Sequence, residues 1–156
     1  MDQVGKLDLE VVYREHHARL WRSLLAFSGD PDVASDAESE AFAQAARRGS
    51  AIDDAAAWVW RSAFRIAAGM LATRSLGGVT PAPVVSNPTI EPSTAEFIAV
   101  LGSLSEQQRA CVVLRYSGGY TPAEIAGLLE TSAGTVRVQL HRAHQSLRLT
   151  LAVDDD

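Results

Sequence analysis

The segment from Tyr120 to Leu151 constrains the fold most, because its pattern predicts two helices joined by a turn of about three residues. Thr121 can cap the first helix, Pro122 suits the first helical position, and Glu124 completes a capping box. Ser132 then signals the start of the second helix, whose apolar residues recur at helical spacing. The segment therefore predicts a helix-turn-helix.

The second helix of this pair carries positive charge without negative charge. Between Thr131 and Leu151 the chain has three arginines and no carboxylate. The major groove of DNA admits a helix and phosphates attract cations, so the free face of such a helix is suited to DNA. We expect contacts from Thr135, Arg137, Gln139, His141 and Arg142. For this pattern alone, an ordinary helical hairpin with solvated arginines is the alternative.

Composition limits the possible classes of protein. The chain has 156 residues, of which 47% are apolar, so it can form one domain or two small helical ones and is not a disordered chain. A net charge of −5 argues against a protein that coats nucleic acid indiscriminately, but allows a local basic helix. The single cysteine, Cys111, lies in an apolar run, so we expect a buried thiol and neither an intrachain disulfide nor a cysteine-based zinc site.

The sequence also lacks the patterns of several other classes. The N-terminal residues are polar, and no apolar run approaches the ~20 residues that span a bilayer, so we predict a cytoplasmic protein without a membrane partner. His141 and His144 have no third metal ligand at a suitable spacing, so we predict no metal and no cofactor. No phosphate-binding glycine loop or nucleophile motif is present, and we predict no enzymatic activity.

Helical spacing extends over nearly all of the chain, so the predicted fold class is all-α. Two glycines and four prolines between Ser75 and Ser93 are typical of a linker. The predicted helices are Leu7–Phe27, Val33–Arg48, about Asp54–Arg74 with Asp53 as its cap, Ala95–Leu104, one from a capping box at Ser105 and Gln108 to near Gly118-Gly119, and the helix-turn-helix pair. We therefore predict a helical domain at 1–74, a flexible linker at 75–93, a helix-turn-helix domain at 94–152 and an acidic tail at 153–156.

This order of a three-helix domain, a proline-rich linker and a four-helix domain resembles the small bacterial RNA polymerase sigma factors of the extracytoplasmic-function (ECF) group of the sigma-70 family. The resemblance covers nearly the whole chain, although the N-terminal domain is more divergent. Its strongest part is Leu104-Ser105-Glu106-Gln107-Gln108-Arg109, Val113-Leu114-Arg115-Tyr116, Ala123-Glu124-Ile125-Ala126, Gly134-Thr135-Val136-Arg137 and Leu140-His141-Arg142-Ala143. Upstream it rests on Gly29-Asp30-Pro31, Ala34, Asp36, Glu40, Ala41-Phe42 and Ala45.

The resemblance implies a role for three surfaces. Its C-terminal domain would read the minus-35 promoter element through Ser132, Thr135, Arg137, Gln139, His141 and Arg142. Its third helix would capture the minus-10 element through Trp58, Arg61 and Arg65, although for Trp58 and Trp60 core packing is favoured over base stacking. Its second helix would dock on the polymerase clamp through Asp36, Glu40 and Phe42; without the resemblance, the two carboxylates predict only a solvated acidic face.

The chain departs from the family pattern at four places. Ala37-Glu38-Ser39 replace Leu-Val-Gln on the docking helix, which removes apolar contact area. Arg65 and Gly69 replace Asn and Asp on the third helix, and glycine offers nothing to a base. Glu130 replaces a glycine, which would cost on the order of 1 kcal/mol if the turn needs a positive φ. Val138 and Gln139 replace polar or basic residues, so fewer phosphates would be neutralised.

Two functions follow from the resemblance. The first is a transcription initiation factor that binds core RNA polymerase and directs it to promoter DNA, with an anti-sigma factor or a companion transcription factor as a further partner. The alternative is a sigma-like regulator that binds polymerase, another sigma factor or an activator without melting DNA. Arg65, Gly69 and Ala72 on the third helix motivate the alternative, because they replace residues that the family uses at the minus-10 element.

Overall fold

The computed structural model describes residues 2–77 and 92–154, with side chains for residues 8–77 and 94–149. Within these residues the chain forms seven α-helices and no strand, which confirms the all-α prediction. The helices are α1 (Asp2–Ser28), α2 (Pro31–Arg48), α3 (Ala55–Leu76), α4 (Pro92–Leu101), α5 (Glu106–Val112), α6 (Pro122–Leu129) and α7 (Ala133–Asp154). A short 3₁₀ turn, Gly49–Ala51, follows α2, and α5 continues into a π-helical turn, Val113–Ser117.

Helix α2 begins and ends at signals carried by its own sequence. The Asp30 carboxylate accepts the N–H groups of Asp32 at 2.8 Å and Val33 at 3.4 Å, and Pro31 occupies the first helical position. At the other end Gly49 has a φ of 58°, which a residue without Cβ adopts at little cost. These local bonds hold α2 at a fixed length beside α1 and α3.

Helix α3 differs from its prediction at both ends. The predicted cap, Asp53, is wrong by one residue, because the Asp54 carboxylate accepts the N–H of Ala57 at 3.1 Å. Asp53 and Asp54 are equally suitable N-cap residues by type, and only the backbone geometry decides which of them stands directly before the first helical residue. The helix also extends past its predicted end to Leu76, since the chain reaches no helix-breaking residue before Gly77.

The two capping boxes predicted in the C-terminal half are confirmed. At the start of α5 the Gln108 N–H donates to Ser105 Oγ at 3.2 Å, and the Ser105 N–H donates to Gln108 Oε1 at 3.3 Å. Thr121 and Glu124 form the same reciprocal pair at the start of α6, with distances of 3.2 and 3.0 Å. Each box satisfies backbone donors that have no partner within the helix, so both starts are locally defined.

The turn between α5 and α6 depends on a glycine. A Cβ on Gly118 would lie 2.7 Å from the Leu114 carbonyl oxygen, closer than real Cβ contacts come, and 3.0 Å from the Tyr120 ring. Gly119, which follows, has a φ of 77°. This tight turn redirects the chain into α6, which packs against α7, α3 and the π-helical turn.

The N-terminal and C-terminal halves pack against each other. The Arg109 Nε–H of α5 donates to the Phe27 carbonyl oxygen at 2.6 Å, and the guanidinium lies over the Phe27 ring at 5.4 Å. Ser23 and Ser117 share a hydrogen bond of 2.8 Å between their hydroxyl oxygens. The buried apolar residues of both halves form one continuous cluster. Most of the predicted linker, residues 78–91, and residues 155–156 of the predicted tail lie outside the described residues, so the domain boundaries stay a prediction.

Burial explains the state of the single cysteine. Cys111 lies inside α5 with its side chain almost fully buried, as predicted, and this burial raises the pKa of its thiol to about 11. Across the described ranges, no helix combines the length and apolar character needed to cross a membrane. The same ranges hold no group of three or more His, Cys, Asp or Glu residues that could bind a metal ion.

Candidate nucleic-acid interface

The turn between α6 and α7 spans residues 130–132 and contains a left-handed residue. Glu130 has a φ of 58° and a ψ of 47°. The turn therefore does need the positive φ at which a glutamate, unlike a glycine, is strained. The Glu130 and Thr131 N–H groups both donate to the Ala126 carbonyl oxygen, which ends α6. Ser132 Oγ then accepts the Thr135 N–H at 3.1 Å and caps α7, as predicted.

Helix α7 has one buried face and one exposed face. Val136, Leu140 and Ala143 are buried against α5 and α6. The opposite face exposes Arg137, Val138, His141, Arg142, Gln145 and Arg148. From residue 133 to residue 149 this helix has three arginines and no carboxylate. An exposed cationic helix face next to a tight turn suits the electrostatics and the width of the DNA major groove.

The residues predicted to meet the minus-35 element do not all share this face. Arg137, His141 and Arg142 are exposed, whereas Thr135 and Gln139 are half-buried. The Gln139 amide donates to Gln107 Oε1 of α5 at 3.1 Å, so its side chain is turned toward the protein. Because each helical residue turns by about 100°, Gln139 and Arg137 lie on nearly opposite sides of α7. Ser132 is exposed, but its hydroxyl is used by the cap.

Three of the residues named on this exposed face, Val138, Gln145 and Arg148, were missing from the sequence-based set. Val138 and Gln145 lie on the free face together with His141 and Arg142, and Val138 is 47% exposed. The signal that could have identified the first two is the helical rotation itself, because both lie about opposite the buried residues Val136, Leu140 and Ala143. Selection by residue type favoured polar side chains and passed over the valine.

The arginines predicted for the minus-10 element face the C-terminal half. Arg61 and Arg65 line a cavity of about 370 Å³ between α3, α5 and α6, whose other walls include Glu106 and Glu130. The Arg65 guanidinium donates to the Glu130 carboxylate, and both side chains are 63% exposed. The left-handed turn residue of the helix-turn-helix therefore contacts the helix assigned to the other promoter element.

Comparisons with known proteins agree with this geometry. The Sigma-70, region 4 family matches residues 94–147, which contain α5, α6 and most of α7. The chain is 31% identical over 160 residues to the ECF RNA polymerase sigma factor SigL from three strains of Mycobacterium tuberculosis, and the alignment covers 92% of this chain and 88% of SigL. The chain belongs to the ECF RNA polymerase sigma factor family.

A solved structure supports the fold of both halves. The sigma factor RpoE from Bartonella quintana, solved in complex with the anti-sigma factor NepR, matches this sigma factor with a TM-score of 0.77. The two sequences are 19% identical, and the match covers 96% of this chain and 97% of RpoE. Since nearly all of each chain is superposed, the packing of the two halves against each other belongs to the shared fold.

In this sigma factor the two tryptophans of α3 have different environments. Trp60 is completely buried, its Nε1–H donates to His16 Nδ1 at 3.0 Å, and its ring meets the edge of Tyr120 at 5.2 Å. The favoured role in core packing is therefore confirmed for Trp60. Trp58 is half-buried with the Arg48 guanidinium 5.9 Å from its ring centroid, and its assignment to the minus-10 element stays a prediction.

The predicted docking residues divide between two surfaces of α2. Asp36 and Glu40 are exposed and lie four residues apart, hence on one face. Hydrogen bonds from Gln44 at 3.0 Å and Arg47 at 3.2 Å lower the pKa of the Glu40 carboxyl group below its ordinary value. Phe42 lies on another side of α2, half-buried with Tyr13 at 5.2 Å in edge contact.

A buried carboxylate on α2 was not anticipated from the sequence. Glu38, which stands where the family has an apolar residue, is only 5% exposed and accepts a hydrogen bond from His17 Nδ1 at 2.7 Å. Its second oxygen, Oε2, is buried without a hydrogen-bond partner among the described residues. Burial raises the pKa of Glu38, and the attraction of His17 opposes this rise. The signal was available, since Glu38 continues the buried spacing of Ala34, Ala37, Ala41 and Ala45.

The two histidines considered for a metal site have different surroundings. His141 is exposed on α7. His144 Nε2 lies 2.8 Å from the Tyr116 hydroxyl oxygen, and the two rings are 5.7 Å apart. Tyr116 thus holds His144 against the π-helical turn.

Proposed function

We propose that this sigma factor binds core RNA polymerase and directs it to promoters by holding the minus-35 element on the exposed face of α7 and the minus-10 element on α3. The observation that carries the proposal is the exposed face of α7, which has no carboxylate between residues 133 and 149 and lies mostly within the region that matches Sigma-70, region 4. SigL, an ECF RNA polymerase sigma factor, aligns with 92% of the chain. The initiating function is therefore favoured over a regulator that does not melt DNA.

The charges of α7 define how the minus-35 contact works. Arg137 and Arg142 are exposed on the two sides of the free face, at positions suited to the phosphates that flank a groove. His141 and Gln145 lie between them and can reach base edges. With so few cations, the isolated C-terminal half binds DNA weakly, and affinity arises when the polymerase holds several weak contacts together.

The minus-10 contact requires an exchange of partners at Arg65. In the structure its guanidinium is paired with the Glu130 carboxylate, so a DNA phosphate must replace that carboxylate. An exposed ion pair of this kind contributes about 0.5 kcal/mol or less, which a charged phosphate can supply in return. Arg61 shares the same cavity and is also freed when the two halves separate.

Docking on the polymerase uses the acidic face of α2. Asp36 and Glu40 are exposed and available to arginines or lysines of the clamp. Glu40 exchanges its exposed bond to Arg47 at little cost. Phe42 contributes from the neighbouring open groove, of about 620 Å³, between α1 and α2. The polymerase carries out the chemistry, the chain contributes no catalytic step, and the complex acts in the cytoplasm, where polymerase and DNA are found.

An anti-sigma factor is included in the proposal as a regulating partner. The supporting observation is that RpoE, which has the same fold over both halves, was solved with the anti-sigma factor NepR. A companion transcription factor has no comparable support. An anti-sigma factor that binds this chain should lower promoter-specific transcription in proportion to the fraction of chain it binds.

Run-off transcription with purified core polymerase and a genomic promoter pool tests the proposal. RNA that starts at defined promoters only when the chain is present supports it. The double variant Arg137→Ala, Arg142→Ala should lose most of this RNA, whereas Arg22→Ala, an exposed arginine of α1, should not. Core binding without any promoter-specific RNA would contradict the proposal and favour the regulator.

The restored variant Arg65→Asn, Gly69→Asp completes this test. It carries the family residues on α3 that this chain lacks. If the wild-type chain opens promoters as well as the restored variant does, the substitutions on α3 have not abolished promoter melting. The hypothesis of a regulator that does not melt DNA is then wrong.

A further inference from the structure

Val138 is an apolar side chain in the N-terminal half of the exposed face of α7, and Leu149, which is 71% exposed, lies near the other end of the same face. Val138 is 47% exposed, although it lies only two residues from the buried Val136 on one side and the buried Leu140 on the other. Two helical residues correspond to a rotation of about 200°, so Val138 points away from the contacts of both neighbours with α5 and α6. Its isopropyl group therefore projects from the centre of the free face.

The surroundings of Val138 on this face leave room for a base edge. Gly134 lies one turn before it, and a Cβ built there would meet only the Ser132 hydroxyl, at 3.9 Å. Because helical side chains lean toward the N-terminus, the Val138 isopropyl covers this turn. The exposed His141 and Arg142 follow one turn later. The N-terminal half of α7, which a recognition helix inserts into the major groove, thus presents an apolar group followed by polar ones.

Single exposed apolar residues are ordinary on protein surfaces, and Val11 on α1 is a similar case at 42% exposure. Val138 differs because it lies on the face that meets DNA. In the major groove, base edges present hydrogen-bond donors, acceptors and only one apolar group, the C5 methyl of thymine. A valine can neither donate nor accept a hydrogen bond, so thymine is the base whose edge it favours. Its branched side chain also has one strongly preferred rotamer in a helix, so little entropy is lost on contact.

We propose that Val138 makes the minus-35 contact of this sigma factor selective for a thymine, by packing its isopropyl group against the C5 methyl of that base. The inference rests on the proposed function, because it requires that α7 enters the major groove of the minus-35 element. It adds the residue that discriminates and the chemical group that is recognised.

Replacing thymine by deoxyuridine in the promoter tests this contact, because the exchange removes the methyl group and leaves all hydrogen bonds of the base pair. The holoenzyme first selects its minus-35 element from a library of duplexes. Each thymine of the selected element, on either strand, is then replaced by deoxyuridine in turn, and the holoenzyme affinity is measured by competition binding. We expect one position at which the exchange weakens binding about fourfold, the value for one buried methyl group.

Variants of Val138 connect the methyl group to this side chain. Val138→Ser should bind the thymine and deoxyuridine duplexes equally at that position, whereas Val138→Ile should keep the preference for thymine. Val11→Ser, the matched exposed valine of α1, should behave like the wild type.

The possible failures are distinguishable. If the library yields no minus-35 element, the proposed function is wrong and this inference with it. If an element is selected but no thymine is sensitive to deoxyuridine, or if the sensitivity persists in Val138→Ser, the proposed function stands and the role of Val138 is refuted.

Discussion

Substituting glycine for Glu130 removes two features of the turn before α7 together. The backbone there has a φ of 58°, which costs an L-residue roughly 1–2 kcal/mol relative to glycine. Glycine gives back about 0.4–1 kcal/mol of this through the greater freedom of the unfolded chain. The ion pair with Arg65 is also lost, but both side chains are 63% exposed, so its contribution is about 0.5 kcal/mol or less. We therefore expect Glu130→Gly to raise the free energy of unfolding by roughly 0.5 kcal/mol, within a range of about −0.5 to 1.6 kcal/mol.

The variant Glu130→Gln separates the two terms, because it keeps the left-handed backbone and removes only the charge. It should be less stable than the wild type by about 0.5 kcal/mol or less, and the difference should vanish at high salt. Glu130→Gly should have a higher free energy of unfolding than Glu130→Gln by roughly 0.8 kcal/mol, within a range of about 0 to 1.6 kcal/mol, at every salt concentration. Urea unfolding of the full chain, followed by circular dichroism at low and high salt, measures both differences. A glycine variant less stable than the glutamine variant would refute the assignment of strain to this turn.

Three further predictions concern α7, α2 and α5. Arg142→Ala should weaken holoenzyme binding to promoter DNA about equally for all sequences and reduce the slope of log affinity against log salt by about one, as measured by titration at several salt concentrations. Burial raises the pKa of the Glu38 carboxyl group above 4.5, so the contribution of Glu38 to stability is fully present below about pH 4.5 and is lost as the pH rises through the raised pKa. Unfolding measured across this pH range should show the loss in the wild type and not in Glu38→Gln. The Cys111 thiol, with a pKa of about 11, should react with a disulfide reagent at neutral pH only as fast as the chain opens, and mild urea should accelerate the reaction.

The parts of the fold that the sequence predicted well are those held by short-range bonds. The two capping boxes join residues three apart in the chain, and Ser132 caps α7 through the residue three positions later. Such bonds depend only on residue types at fixed spacing, so a sequence pattern contains nearly all of the information. The cap of α3 was misplaced only because Asp53 and Asp54 are chemically identical.

The packing of the two halves could not be predicted in this way. Arg109 and Phe27 are 82 residues apart in sequence, and Ser23 and Ser117 are 94 apart. Neither an arginine in a short helix nor a phenylalanine at a helix end specifies such a partner. The same limit applies to the site, since the pattern identified α7 and its basic side chains but did not show that Gln139 is turned toward Gln107.

Two departures from the family pattern are explained together by a contact between them. Arg65 stands where the family has an asparagine on α3, and Glu130 stands where it has a glycine before α7. The two residues are 65 positions apart, and each considered alone weakens the resemblance, yet their side chains form an ion pair across the two halves. A glutamate in a left-handed turn is unfavourable for the turn itself, so its benefit must lie in what its side chain contacts.

This pairing makes the two substitutions non-additive. Glu130→Gly in the wild type relieves the backbone and breaks the pair, whereas in an Arg65→Gln background it only relieves the backbone. The stabilisation by Glu130→Gly should therefore be larger in the Arg65→Gln background, by the energy of the pair, about 0.5 kcal/mol at low salt and near zero at high salt. Equal effects in both backgrounds at low salt would show that the contact contributes nothing to holding the halves together.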